Sequence, residues 1–185
     1  MPPKLPKKPR RSSKPKPKPK PPPSRTPHLC QIIAWDPGKL MGFAVLSFGG
    51  LTHYYGGEEL PSGLIRHLVD HTDLPTVGVI EEHVPHGKWG QQSYRRLQQR
   101  AGMAENELMS HGVRRIVRVF PQTWRAAFKI RGNSSQCKAL AKALALSLYG
   151  EKDELPADLS LDVYEAALMA TWAERSWQVA EALAA

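Results

Sequence analysis

Apolar residues fall in short unbroken runs early in the chain and in helical stripes later. Residues 31–36, QIIAWD, and 41–48, MGFAVLSF, are the first two runs, and each reads as a strand. Pro37-Gly38 joins them as a turn, Gly49-Gly50 makes a hairpin, and LTHYYG from Leu51 is the return strand. Pro61 opens a short helix with Leu64, Ile65, Leu68 and Val69 on one face. Residues 77–80, VGVI, form a buried strand ending in Glu81 and Glu82, and the loop HVPHGKWG follows. A long helix is predicted over 91–110, with Leu97, Ala101, Ala104 and Leu108 on one stripe. Arg95, Arg96 and Arg100 lie off that stripe, and Gly112 ends the helix. RRIVRVF from Arg114 is another strand, and Pro121 opens a short helix that packs Trp124 inside and carries Phe128. After the loop KIRGNSS, residues 136–148 form a helix with Leu140, Leu144 and Leu148 as its apolar side. A last helix begins near Leu161, with Ser160 as its N-cap. Three strands in a meander, then strands alternating with helices, then a closing helix make a mixed α/β domain.

Charge divides this picture in two. Residues 1–27 hold 10 Lys or Arg, eleven prolines and no acid. Such a segment buries no core, so a disordered tail is expected over 1–28 and one domain over 29–185. The net charge of +9 therefore belongs to the tail, because the rest holds 16 basic residues and 17 acids. Within that rest, residues 88–142 carry 12 basic residues and two acids, Glu105 and Glu107. A basic middle flanked by acids suits a polyanionic ligand beside an acidic site. The tail reads as a nucleic-acid tether, with a solubilising extension as its alternative. The tail lacks the apolar stretch of a secretory signal, and no run is long enough to span a membrane. Cys30 and Cys137 have no metal-site spacing and read as reduced thiols. His53, His67, His71 and His111 read as surface or turn residues.

Four carboxylates stand where elements begin or end. Asp36 ends the first strand, Glu81 ends the strand at 77–80, and Asp162 and Glu165 share one face at the start of the last helix. Singly, each has an ordinary role: a turn residue, a solvated strand end, two acids near a positive helix end. If the two strands are neighbours and the last helix packs on them, the four converge. Convergent carboxylates repel unless cations lie between them, and hard oxygen ligands favour Mg²⁺ or Mn²⁺. Two divalent ions would neutralise four acids and suit phosphodiester hydrolysis.

At this point the chain resembles the RuvC-like Holliday junction resolvases of the RNase H-like superfamily, over nearly all of residues 31–173. IIAWDPGKLMGFAVL looks like the family's first strand and turn, with an Asp before Pro-Gly and a Gly a few residues on. VGVIEEHVP looks like the strand ending in the family's Glu, QQSYRRLQQRAGMAENEL like the next helix, and LDVYEAALMATW like the closing helix. The resemblance implies an RNase H-like fold, a mixed five-stranded sheet flanked by helices. It makes Asp36, Glu81, Asp162 and Glu165 the catalytic, metal-binding acids, with two Mg²⁺ per site and Mn²⁺ as a substitute. Glu81 takes the role ahead of Glu82, which alternation turns the other way. The family's last acid is often Asp, so Glu165 is a longer arm.

For holding the scissile phosphate, the resemblance points to Arg125 and Lys138, then Lys129 and Arg131; a solvated basic face is the alternative. Arg95 and Arg96 are further DNA-binding candidates. Where the family has a wedging aromatic after its Glu, this chain has His83 and Val84. Trp89 either takes that part by stacking on a base or anchors the next helix. The resemblance further implies branched DNA as substrate, a homodimer making paired nicks, and the cytoplasm of a bacterial or phage-infected cell. The stripe at Leu97, Ala101, Ala104 and Leu108 has small residues that allow a partner helix close, or it packs on its own sheet. Competing functions are a nuclease for RNA·DNA hybrids or flaps, and a non-catalytic nucleic-acid-binding protein of the same fold.

Overall fold

The computed structural model describes residues 30–38, 40–83 and 91–176. The proposed tail therefore lies outside the described residues, as does Trp89. The elements, in chain order, are β1 (Gln31–Asp36), β2 (Met41–Ser47), β3 (Gly50–Gly57), α1 (Leu64–Asp70), β4 (Thr76–Glu81), α2 (Gln91–Ser110), β5 (Arg115–Val119), α3 (Pro121–Ala127), α4 (Ser134–Tyr149) and α5 (Leu161–Arg175). The described strands form one mixed sheet of order β3-β2-β1-β4-β5. β1 runs antiparallel to β2 and parallel to β4, and β5 continues the parallel half.

β1 is buried on both faces, which is why its run is apolar without a polar alternate. Ile32 and Ala34 point to one core layer, and Ile33 and Trp35 to the other. The first layer is filled by α5, with α4 behind it. The second is filled by Ile65 and Leu68 of α1 and by Ala101, Ala104 and Leu108 of α2. Burying a side chain such as Leu108 or Ile80 contributes about 1.5–3 kcal/mol. Ala101, Ala104 and Leu108 of the α2 stripe thus pack on its own sheet, while Leu97 is half-buried. His53, His67 and His71 are exposed, while His111 is half-buried and pairs with Glu107 at 3.2 Å. Cys30 and Cys137 are buried free thiols, and burial, then the charge of Glu174, pushes Cys30 up to about 11.

α5 is the centre of the molecule. Every residue from Asp162 to Ala173 is buried. Small residues let it approach the sheet: Ala34 and Ala44 from the strands, Ala166, Ala167 and Ala170 from the helix. The closest approach is at Gly42, where an added Cβ would lie 2.0 Å from the Asp162 carbonyl oxygen. Gly56, paired with Gly42 across β2 and β3, likewise leaves room only for Val163 and Ser160. Two adjacent glycines thus form a shelf that receives the first turn of α5. Ser160 occupies the N-cap position, but its Oγ makes no cap hydrogen bond because it is turned against Gly56.

α4 departs from expectation. Its buried face is Cys137, Ala141, Ala145 and Tyr149, whereas Leu140 is 47% exposed and Leu144 and Leu148 are half-buried. The reason is distance: a helix packed closely on α5 presents its small residues and pushes its leucines to the flanks. Leu140→Gln should change stability by less than about 0.5 kcal/mol. Ala145→Leu should cost about 1–3 kcal/mol by overpacking. Urea midpoints of the two variants check the pair. α4 also starts earlier than 136, because Asn133 and Gln136 form a capping box: Asn133 Oδ1 accepts from Gln136 N at 3.0 Å, and Asn133 N donates to Gln136 Oε1 at 2.9 Å.

Candidate active site

Register brings two of the acids together. Trp35 of β1 pairs with Ile80 of the parallel β4, so Asp36 and Glu81 end neighbouring strands at the same edge. Alternation then decides their direction. Asp36 follows Ile32 and Ala34 to the α5 side, and Glu81 follows Val77 and Val79 there too. The glycine shelf sets the first turn of α5 against the same edge and so delivers Asp162 and Glu165. Asp36, Asp162 and Glu165 each offer an oxygen within 4.8 Å of the others. Glu81 lies beside this trio, close enough for the charges of Asp36 and Glu165 to raise its pKa. All four are buried, while Glu82 is half-buried.

Four acids in so little space need neutralising. Arg125, at the end of α3, donates from Nη2 to Glu165 Oε1 at 2.5 Å. Lys138 of α4 lies 2.6 Å from Asp162 Oδ1 and 3.7 Å from Glu165 Oε2. Burial alone would lower the pKa of both cations, but the acids more than offset it and leave both raised. Burial, then the charges of Asp162 and Glu165, hold Asp36 well above the usual carboxylate range. Lys138 and the Gly38 N–H, which donates to Asp36 Oδ1 at 3.0 Å, pull the other way. Glu81 is raised likewise, first by burial, and its Oε2 is buried without a hydrogen-bond partner among the described residues. An orphaned carboxylate oxygen beside three clustered acids fits a divalent cation, and the all-oxygen donor set is that of a hard ion.

The remaining predicted residues divide by place. Lys129 and Arg131 are exposed in the α3–α4 loop, and neither is ion-paired among the described residues. Arg95 and Arg96 are exposed on α2. His83, at the position of the expected aromatic, is half-buried, and burial followed by the charges of Arg125 and Lys138 lowers its pKa. The charge of Asp162 opposes that shift. The sequence reading missed that Arg125 and Lys138 pair with the acids themselves, and it gave Arg100 no role. Arg100 reaches from α2 to the Gly38 carbonyl oxygen. None of these contacts is local in sequence, so no spacing signals them.

No family model matches the chain. A stretch of 60 residues is 37% identical to a phosphoglucomutase of Staphylococcus haemolyticus (strain JCSC1435). It covers 32% of this chain and only 11% of that protein. Among solved structures, the chain is similar to T. thermophilus RuvC in complex with a Holliday junction substrate, at 15% identity and a TM-score of 0.56, over 82% of this chain and 96% of that one. A second Thermus thermophilus RuvC structure aligns at 16% identity and a TM-score of 0.47, over 78% and 95%. With its mixed five-stranded sheet, flanking helices and strand order, the chain has the RuvC-like, RNase H-like fold.

Proposed function

We propose that the protein is a metal-dependent endonuclease of branched DNA that resolves Holliday junctions by paired symmetric nicks. The observation that carries the reading is the convergence of Asp36, Asp162 and Glu165 within 4.8 Å, with Glu81 beside them. These four acids are the proposed catalytic residues and metal ligands. Two Mg²⁺ ions, for which Mn²⁺ can substitute, would supply an activated water and stabilise the leaving 3′ oxygen.

The chain's own residues do the rest. Asp36 is oriented by the Gly38 N–H, and the two acids of α5 are fixed by the helix backbone. Arg125 and Lys138 neutralise Glu165 and Asp162 while the acids lack other cations. Once the acids' charge is otherwise matched, these two side chains are free to turn to non-bridging phosphate oxygens. Both retain partial exposure, 24% for Arg125 and 33% for Lys138, so a phosphate can reach them. Lys129, Arg131, Arg95 and Arg96 extend the basic surface along the DNA backbone. Trp89 is proposed to stack on a base at the branch. Two cuts require two sites, which a homodimer in the cytoplasm would provide.

The test is cleavage of four-way junction, flap and RNA·DNA hybrid substrates with Mg²⁺, with product ends mapped. Paired nicks in the junction leaving 5′-phosphate and 3′-hydroxyl ends are expected. Cutting of the hybrid alone would replace the resolvase reading with a hybrid nuclease. Binding without cutting in Mg²⁺ or Mn²⁺ would leave a non-catalytic binding protein.

The tail gives a separate prediction. Each Lys or Arg that meets a phosphate adds about 0.9 to the salt slope of binding. Deleting residues 1–27 should weaken junction binding and flatten that slope by several units, leaving the cleavage rate at saturating DNA unchanged. Fluorescence anisotropy across a salt series measures this.

A further inference from the structure

Gly38 lies against the acids: an added Cβ would meet Asp162 Oδ2 at 2.8 Å and Asp36 Oδ1 at 3.3 Å. Its N–H donates to Asp36 Oδ1 at 3.0 Å. Its carbonyl oxygen accepts from Arg100 Nη1 at 2.5 Å. The residue is thus held on both sides of its Cα, by a carboxylate through one peptide and by a guanidinium through the next. A glycine without such anchors samples a wide range of φ and ψ. Arg100 comes from α2, which covers the opposite face of the sheet from α5, so its hold on the turn is independent of the helix that carries Asp162 and Glu165.

We propose that Arg100 is a positioning residue for the acid cluster, holding the Pro37-Gly38 turn so that the Gly38 N–H presents Asp36 to an ion shared with Asp162 and Glu165. The inference rests on the metal-dependent reading above. In this role Arg100 acts through the Gly38 carbonyl, and its contribution is to cation affinity and to the geometry of Asp36.

Free Mn²⁺ is followed by electron paramagnetic resonance during titration of the full-length protein without DNA. Wild type, Arg100→Met, Arg100→Lys and Asp36→Asn are compared. Junction affinity in EDTA, melting temperature and single-turnover cleavage across a Mg²⁺ series are measured alongside. Loss of a charge-assisted hydrogen bond should raise the Mn²⁺ half-saturation of Arg100→Met by about tenfold. Its cleavage rate should fall at limiting Mg²⁺ and recover as Mg²⁺ rises, with junction affinity in EDTA and melting temperature unchanged. Arg100→Lys should recover most of both losses. Wild-type Mn²⁺ affinity in Arg100→Met overturns the inference alone. So does a loss confined to junction affinity in EDTA, which makes Arg100 a DNA contact. A wild type whose Mn²⁺ binding does not depend on Asp36 overturns the metal-dependent reading, and this inference with it.

Discussion

Asp36→Asn is expected to abolish Mg²⁺-dependent cutting of a four-way junction while leaving junction binding in EDTA nearly intact. The drop should be roughly a thousandfold, the upper end of what one lost transition-state contact costs. Binding survives because the exposed cations proposed to meet the phosphates without metal, Lys129, Arg131, Arg95 and Arg96 among them, are untouched. The same variant should be more stable than wild type in EDTA. Asp36 is buried among like charges, and its pKa in the folded protein is raised. A carboxyl that holds its proton more tightly when folded contributes stability that is whole below its unfolded pKa. That contribution is lost as pH rises through the folded pKa. At neutral pH the wild type has therefore given up stability that Asn, which does not titrate, keeps. In EDTA at neutral pH the variant should melt a few degrees higher, and the gap should close toward pH 4. A variant that melts lower at neutral pH would show that burial among like charges does not cost stability at Asp36, and one that still cuts would remove Asp36 from the proposed chemistry.

Gly42→Ala should unfold or nearly unfold the protein, at a cost above about 3 kcal/mol. The new methyl group would lie 2.0 Å from the Asp162 carbonyl oxygen, 2.2 Å from its carbon and 2.8 Å from Val163 N. All three are backbone atoms, so no side chain can turn aside. The helix must lift off β2, and it carries both the core of one layer and two of the four acids. Gly102→Ala is the matched control. Gly102 lies inside α2 with nothing within 4 Å of the added Cβ. Replacing it should stabilise by up to about 1 kcal/mol through helix propensity alone. Urea denaturation of the two variants gives opposite shifts. Equal shifts would mean that the contact of α5 with β2 is not tight.

Much of this architecture is legible in the order of residues, for reasons that are local. Unbroken apolar runs ending in Asp36 and Glu81 mark buried strands, and Pro37-Gly38 and Gly49-Gly50 mark the reversals between strands. The spacing of Asp162 and Glu165 places both on one helical face at the edge of an apolar segment. What escapes such reading depends on how closely two elements approach. The leucines of α4 read as its apolar side, but its distance from α5 selects alanines. Ser160 has the right residue type for a cap, yet its hydroxyl is diverted by the absence of a side chain at Gly56. Asn133 and Gln136 are by contrast a local signal, a capping pattern at the end of a polar loop that places the start of α4 before 136. Arg100 and Gly38 are 62 residues apart, and only the folded sheet brings them together.

The position of α5 in the chain has a consequence for the order in which the protein is made. Its strands and other helices all precede it, yet its buried residues form the floor of one whole core layer. A nascent chain synthesised only as far as residue 160 holds Asp36 and Glu81 and lacks Asp162 and Glu165. Its sheet has one face uncovered, and the cations of α3 and α4 have no acids of α5 to meet. The chemistry proposed for the acids would therefore be withheld until translation has delivered the helix that also completes the core, so that assembling the proposed site and closing the core become one event.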